Sequence, residues 1–336
     1  MLEKTITMAH GSGGEATERL IREVFCRHFH NEYLDSLNDA SSVPGAGRLA
    51  MTTDSFVVTP YFYPGGDIGR LAVCGTVNDL LVSGAVPKYL SCGFILEEGL
   101  PVDDLDRIAA SMAATAGEAG VAIVTGDTKV IEGKGGGGLL INTAGIGFLD
   151  ESRKVGPDQI KPGDKVIVSG TLGEHHAAIL GCRMGMQNDS IFSDNAPLTA
   201  MVNALFGAGI PVRAMRDVTR GGLATVLNEF AKSSGLSVTV GEDKLPVLAP
   251  VRDFCGILGL DPLYMGNEGK LVAVVAPEAA EQALDIIRRS PFGENAAVIG
   301  ETGKTYEDAP ALYIRTPIGG TRVAGALYGE GLPRIC

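Results

Sequence analysis

The 336-residue sequence contains no tryptophan, and its aromatic share is only 6%. Its six cysteines (Cys26, Cys74, Cys92, Cys182, Cys255, Cys336) show no C-x-x-C spacing, so neither a zinc framework nor a disulfide scaffold is indicated. Scattered free thiols suit a reducing cytoplasm. No run approaches the ~18 apolar residues of a membrane span, and the start, Met1-Leu2-Glu3-Lys4-Thr5, has no apolar signal core. Positive charge is also short: 28 Lys and Arg stand against 40 Asp and Glu, a formal net charge of −12, with no basic run. Nucleic acid and acidic membranes are therefore poor partners. Hydrophobic residues at 45% and charged residues at 20% are ordinary globular values and exclude wholesale disorder.

Glycine is abundant. The 46 glycines amount to about twice the usual ~7% share, and they gather beside acidic and hydroxyl residues rather than in a collagen-like period. Such clusters suit loops where backbone approaches a ligand closely. An acidic chain that binds phosphate would use a divalent cation and backbone N–H groups.

The length predicts one large or two medium domains. Ala16, Leu20, Ile21, Val24, Phe25 and Phe29 recur at helical spacing, which predicts an amphipathic helix over 15–29. Strands are expected at 49–58, 89–96, 121–125 and 139–148, with helices at 68–83 and 103–119; Leu105, Ile108, Met112 and Ala116 share one face of the latter. Turn residues from Gly156-Pro157 to Pro162-Gly163 mark a boundary. Beyond it, helices are expected at 174–186, 197–207, 221–233, 248–258 and 277–290, and strands at 165–169, 236–240, 270–276, 296–300 and 311–314. This alternation gives a mixed α/β fold. The expected division is 1–155, 156–315 and a Gly-rich mobile tail, 316–336.

Four aspartates share a context of glycine, hydroxyl and amide neighbours, Asp217 in Arg216-Asp217-Val218-Thr219-Arg220-Gly221-Gly222 among them, and three sit where bland sequence would not put a charge: Asp54 in an apolar strand, Asp79 in an apolar helix and Asp127 after Val121–Val124. Singly, each reads as a cap or turn former. Together they suit Mg²⁺ with bound phosphate, since Mg²⁺ takes a few hard oxygens and leaves the rest to substrate. His10-Gly11-Ser12-Gly13-Gly14 opens the first helix and offers backbone N–H groups to an anion, although it is neither a Walker A nor a Rossmann fingerprint. Lys129 follows Asp127 by two positions and can neutralise developing charge, and Glu268 in Asn267-Glu268-Gly269-Lys270 suits a general base. His175-His176 are adjacent on a helix and do not face one site. Cys336 ends the sequence on a Gly-rich stretch, which suits a nucleophile on a swinging arm. The other five cysteines read as core.

The segments AHGSGG (9–14), TTDSFVVTPYFYPGGDIG (52–69), CGTVNDLLVSGAVPKYLSCGFILEEGLP (74–101), AIVTGDTKV (122–130), INTAGIG (141–147), VSGTLGEH (168–175), RDVTRGG (216–222), NEGKL (267–271) and PRIC (333–336) carry a resemblance over essentially the whole chain. It resembles the HypE family, carbamoyl dehydratases of nickel–iron hydrogenase maturation, in the PurM-like (aminoimidazole-ribonucleotide synthetase-like) superfamily. The resemblance implies a two-domain PurM-like fold of mixed sheets, a homodimer formed through the N-terminal sheet, and ATP with Mg²⁺. It implies that Cys336 carries a carbamoyl group received from HypF, that ATP-dependent dehydration turns it into a thiocyanate, and that the cyano group passes to the HypC–HypD scaffold. By matching position, Asp54, Asp79 and Asp127 become metal and nucleotide ligands. Gly11, Ser12, Gly13, Gly14, Thr128, Asn142, Thr171, Gly173 and Asp217 become nucleotide contacts, and Cys336, Lys129 and Glu268 the catalytic set. The aspartate and glycine segments alone would equally suit another ATP-dependent synthetase or kinase of the superfamily, or a non-catalytic scaffold; the terminal PRIC favours the dehydratase.

Overall fold

The computed structural model describes residues 4–12, 14–35, 37, 40–133, 138–150, 152–186, 189–305 and 309–326. The first helix begins where expected: α1 (Glu15–Leu20) runs through a π-helical stretch (Ile21–Cys26) into α2 (Arg27–Phe29). It buries Leu20, Val24, Phe25 and Phe29, with the Phe25 ring stacked on Phe94 at 4.6 Å.

The N-terminal half then contributes β1 (Leu49–Phe56), the short hairpin β2 (Phe62–Tyr63) and β3 (Gly66–Asp67), α3 (Ile68–Val82), β4 (Ala85–Glu97), α4 (Val102–Ala119), β5 (Ala122–Ile131) and β6 (Leu139–Leu149). Four of these strands form a sheet in the order β1-β6-β4-β5, in which only the β4/β5 pair is parallel. The Asp67 carboxylate caps α3 by accepting the Gly69 and Arg70 N–H groups at 2.7 and 3.0 Å. Helix α3 is apolar nearly all round because it is covered on several sides: by the sheet, by α4 and by the C-terminal half. Small residues bring it close to the sheet, and a Cβ at Gly75 would lie 2.8 Å from Phe56.

The C-terminal half holds β7 (Lys165–Val168), α5 (Glu174–Met184), α6 (Thr199–Gly207), β8 (Val212–Asp217), α7 (Gly222–Ser234), β9 (Ser237–Gly241), α8 (Ala249–Leu258), β10 (Leu271–Val275), α9 (Ala280–Arg289), β11 (Ala297–Gly303), β12 (Leu312–Arg315) and β13 (Thr321–Val323). These seven strands form one sheet, β13-β12-β9-β11-β7-β10-β8, antiparallel except at β12/β9. In β10 Leu271, Ala273 and Val275 join the core shared with the N-terminal half, while Val272 and Val274 join the separate core under α7.

Three readings of the sequence need correction. Strand β8 was missed, because Arg213 and Arg216 interrupt its apolar run and it lies at a sheet edge where one side needs no partner. The stretch expected to be a mobile tail begins instead as structure: β13 pairs with β12, Asn228 donates to the Ala324 carbonyl at 2.8 Å, and the Tyr264 hydroxyl donates to the Gly325 carbonyl at 3.1 Å. Residues 327–336, including Cys336, lie outside the described residues. Of the five cysteines assigned to the core, Cys74, Cys92 and Cys255 are buried, while Cys26 and Cys182 are half-buried.

Phe230 of α7 is 1% exposed and fills the second core. Phe230→Ala is expected to cost about 3–5 kcal/mol through lost burial and the cavity left behind. The urea midpoint should fall with little change of slope.

Candidate functional site

Strand β1 alternates, with Thr52, Asp54 and Phe56 facing α3 and Thr53 and Ser55 facing away. Thr52 donates its hydroxyl to Asp79 Oδ2 at 2.8 Å, which fixes the Asp79 carboxylate against the inner face of the sheet. Asp54 sits on the same face, half-buried. From the other half, Asp217 ends β8 and Glu268 occupies the turn before β10, both buried. Two domains thus bring four carboxylates to one cleft.

Their electrostatics register the crowding. Burial, followed by the charges of Asp79 and Asp54, pushes the Asp217 carboxyl up to about 7. Burial, then Asp217, Asp194 and Asp54, raises Glu268 well above the ordinary carboxylate range, with Arg220 opposing. Asp54 is raised by burial against the pull of the Ser55 N–H and of Arg220, whose guanidinium lies 3.9 Å away. Such a cleft favours added positive charge, as protons or as a cation.

Among the described residues, no three His, Cys, Asp or Glu side chains form a group that could hold a metal unaided. The donor set still fits Mg²⁺, which is bound by one or two carboxylates and completes its shell with water and phosphate oxygens. Asp54 and Asp79 are the hard oxygens suitably placed.

Asp127 is not with them. The cross-strand row Asp54–Thr143–Cys92–Gly126 projects to the inner face, and the next row, Ser55–Asn142–Gly93–Asp127, projects to the outer face. Three strand spacings, about 14 Å, separate β1 from β5. Asp127 pairs there with Lys129 at 3.0 Å, both side chains about two-thirds exposed (67% and 66%). Asn142 shares that face and donates to the Asp54 carbonyl at 2.9 Å.

The glycine-rich entry to α1 rests on β5. A Cβ at Gly11 would lie 2.8 Å from Val130 Cβ, so only glycine lets the backbone approach there, while Ser12 donates to the Met8 carbonyl at 2.9 Å. Gly13 lies outside the described residues. Gly14, Asp127 and Thr128 line, with Phe25, Phe29 and Ile123, a cavity of about 790 Å³ between the helix and the sheet. Glu15 and Glu18 occupy the first turn of α1, so the helix start is less inviting to an anion than its glycines suggested. Thr171 lines a second cavity, about 460 Å³, with Arg70, Asp194 and Lys270. Gly173, at φ +88°, begins α5 and donates its N–H to Asn267 Oδ1 at 2.8 Å. His175 and His176 are buried, and burial lowers His175 to about 4.

Sequence reasoning gave no role to Thr52, Asn78 or Arg220. The adjacency of Asn78 and Arg220 to the chosen aspartate segments was the available signal.

The N-terminal domain family of AIR synthase related proteins matches residues 37–149, and the corresponding C-terminal domain family matches 161–310. The carbamoyl dehydratase HypE of Azotobacter vinelandii is 47% identical over 334 residues, covering 99% of this chain and 97% of that protein. That of Escherichia coli K12 is 46% identical, covering 98% and 99%. Among solved structures, a hydrogenase maturation protein HypE in complex with ATP superposes with a TM-score of 0.95 at 47% identity, covering 99% of this chain and 100% of that one. The HypE chain of a HypE–HypF complex gives 0.80 at 46%, covering 92% and 99%. A thiamine-monophosphate kinase from Stenotrophomonas maltophilia, 18% identical at a TM-score of 0.65 and covering 94% and 98%, shares the fold alone.

Because Asp217 is raised from a free value near 3.9, the folded chain keeps a proton that the unfolded chain releases between about pH 4 and 7, so stability falls as pH rises through that window. Asp217→Asn is therefore expected to raise Tm at about pH 8 in metal-free, nucleotide-free protein. The gain should vanish below about pH 4, where both states bind the proton; equal Tm values at both pH extremes would count against the crowding.

Proposed function

The chain belongs to the HypE family of carbamoyl dehydratases, within the AIR synthase related proteins, and from that premise we propose how its residues perform an ATP-dependent dehydration. The substrate is a thiocarbamate on Cys336, S–C(=O)–NH₂. An amide oxygen is a poor leaving group in water, so the γ-phosphoryl of ATP passes to it, breaking the P–O bond to ADP. Loss of the two N–H protons and cleavage of the C–O bond leave S–C≡N, ADP, phosphate and one proton. The product supplies the cyanide ligands of a hydrogenase iron.

The observation that carries this reading is the convergence of Asp54, Asp79, Asp217 and Glu268 from two domains. Asp54 and Asp79 would hold Mg²⁺, which would supply positive charge for the phosphates; Asp217 lies in the same cleft, and Thr171 and Gly173 approach the nucleotide from the C-terminal domain. Glu268, raised above the ordinary carboxylate range by burial and its acidic neighbours, is in its ionised form a stronger base than a free glutamate, and in that form accepts a proton from the thiocarbamate nitrogen. Gly14 and Thr128 line the cavity beside β5, and the family resemblance gives Gly11, Ser12, Gly13 and Gly14 the role of covering the phosphates.

A tether argument supports Cys336 as carrier. Gly325 is fastened to Tyr264, four residues before Glu268, which puts the anchor within about 25 Å of that carboxylate. Ten residues after Ala326 reach up to about 34 Å. HypF is the proposed carbamoyl donor, the HypC–HypD scaffold the acceptor, and the cytoplasm the compartment, where a carrier thiol stays reduced. Among the described residues no helix is long and apolar enough to cross a membrane.

The homodimer is read from the outer face of the first sheet, which exposes Leu49, Met51, Ile95 and Ile131, with no element among the described residues packed over them. Asp127, Lys129 and Asn142 lie on that face, so in such a dimer they serve the partner's nucleotide rather than their own.

Mass spectrometry of the C-terminal peptide tests the chemistry: with the HypF donor system a carbamoyl adduct on Cys336 should lose one water only when ATP and Mg²⁺ are present. An unmodified peptide under an active donor system would overturn the mechanism. Mixing tests the shared site. Lys129→Ala and Glu268→Gln should each be inactive, yet a co-refolded equal mixture should recover about a quarter of wild-type activity, because half the dimers are mixed and each has one intact site. No recovery would place Lys129 in its own chain's site.

A further inference from the structure

Glu268 lies in a turn with no regular structure of its own, directly before β10, and it faces three other carboxylates. Like charges push such a turn out of the cleft unless its backbone is held. It is held on both sides. Its N–H donates to Asp194 Oδ1 at 3.0 Å, and its carbonyl accepts from the Ala196 N–H at 3.5 Å and from Asn78 Nδ2 at 3.4 Å.

Asp194 and Ala196 belong to a strap, residues 191–198, that crosses between the domains. A Cβ at Gly269 would lie 1.8 Å from the Asp194 carbonyl, so the strap and the Glu268 turn touch backbone to backbone. The second Asp194 oxygen faces Lys270 Nζ at 3.6 Å, and the two side chains are 0% and 8% exposed. A carboxylate so buried needs that cation beside it.

Helix α3 grips the same strap. Asn78 donates to the Ala196 carbonyl at 3.0 Å and accepts the Leu198 N–H at 2.9 Å, and Arg70 Nε donates to the Asn195 carbonyl at 2.8 Å. Asn78 is 2% exposed and immediately precedes Asp79. The helix that carries a proposed metal ligand therefore also fixes, through one amide side chain, the backbone of the proposed base in the other domain.

We infer that Asn78 and Asp194 are positioning residues that lock the Glu268 turn to α3 and so set the base at a fixed place relative to Asp79. The inference rests on Glu268 being the proton acceptor, as proposed above. Neither residue needs to touch substrate. Their loss should slow proton removal while leaving nucleotide binding largely intact.

The test is single-turnover dehydration of carbamoylated full-length protein at varied ATP, followed by the mass loss of the C-terminal peptide and normalised to folded protein. Asp194→Ala and Asn78→Ala should each lower the maximal rate roughly 10–100-fold, the size expected for losing a hydrogen bond that acts in the chemical step, and leave the half-saturating ATP concentration within about threefold. Asp194→Asn keeps an acceptor for the Glu268 N–H and should return to within about tenfold of wild type. Asn78→Ala leaves the Asp194–Lys270 pair intact and carries the test if Asp194→Ala does not fold. Unchanged maximal rates in the folded variants would overturn the inference, as would losses that appear only as weaker ATP saturation. Glu268→Gln separates the two readings. Full activity in that variant would remove the base itself, whereas its inactivity beside fully active Asn78 and Asp194 variants would remove only the positioning role.

Discussion

Electrostatic repulsion among four carboxylates is the constraint around which the molecule is organised. Two come from the inner face of the first sheet and its covering helix, two from the loop ends of the second sheet, and burial amplifies what each does to the others. A folded chain would relieve this by letting the domains or the Glu268 turn drift apart. It is prevented by a core that runs continuously from the first sheet through α3 into α6, α9 and β10, and by hydrogen bonds to the backbone of the turn from the Asn78 amide and the Lys270-paired Asp194 carboxylate. Stability given up at the cleft is offset by burial elsewhere, a common arrangement for sites that must receive charged ligands.

Much of the fold was legible. Helix α4 shows its buried face at 3.6-residue spacing, and its ending at Gly120, φ +73°, is what a glycine after an apolar period announces. Most strands of both halves show clear apolar runs or alternation. The faces on which residues end up were less visible. Asp54 and Asp127 look alike in sequence, each an acid within a strand beside a hydroxyl residue, yet they project to opposite sides because the register carried through β6 and β4 puts Asp127 one row beyond the row of Asp54. Sheet order is a non-local property, and no local pattern encodes it.

The strap is a second case. Phe192-Ser193-Asp194-Asn195-Ala196-Pro197 has the composition of a turn, and only tertiary contacts turn it into a brace buried between domains. Lys270 was visible beside Glu268, but nothing local tied it to Asp194, 76 positions earlier in the chain. The carrier cysteine was different again. A thiol at the end of a Gly-rich stretch suggests a swinging arm from residues alone, and the family relation is what gives the PRIC motif its meaning.

The fastening of Gly325 to Tyr264 has a kinetic consequence. A side chain ten residues beyond Ala326 is confined to a sphere of about 34 Å radius, which corresponds to a mean local concentration of about 10 mM or more. With Cys336 in its proposed carrier role, dehydration is then an event within one enzyme molecule whose rate at saturating ATP does not change as the protein is diluted, whereas loading and unloading of the thiol would depend on how much of each partner is present.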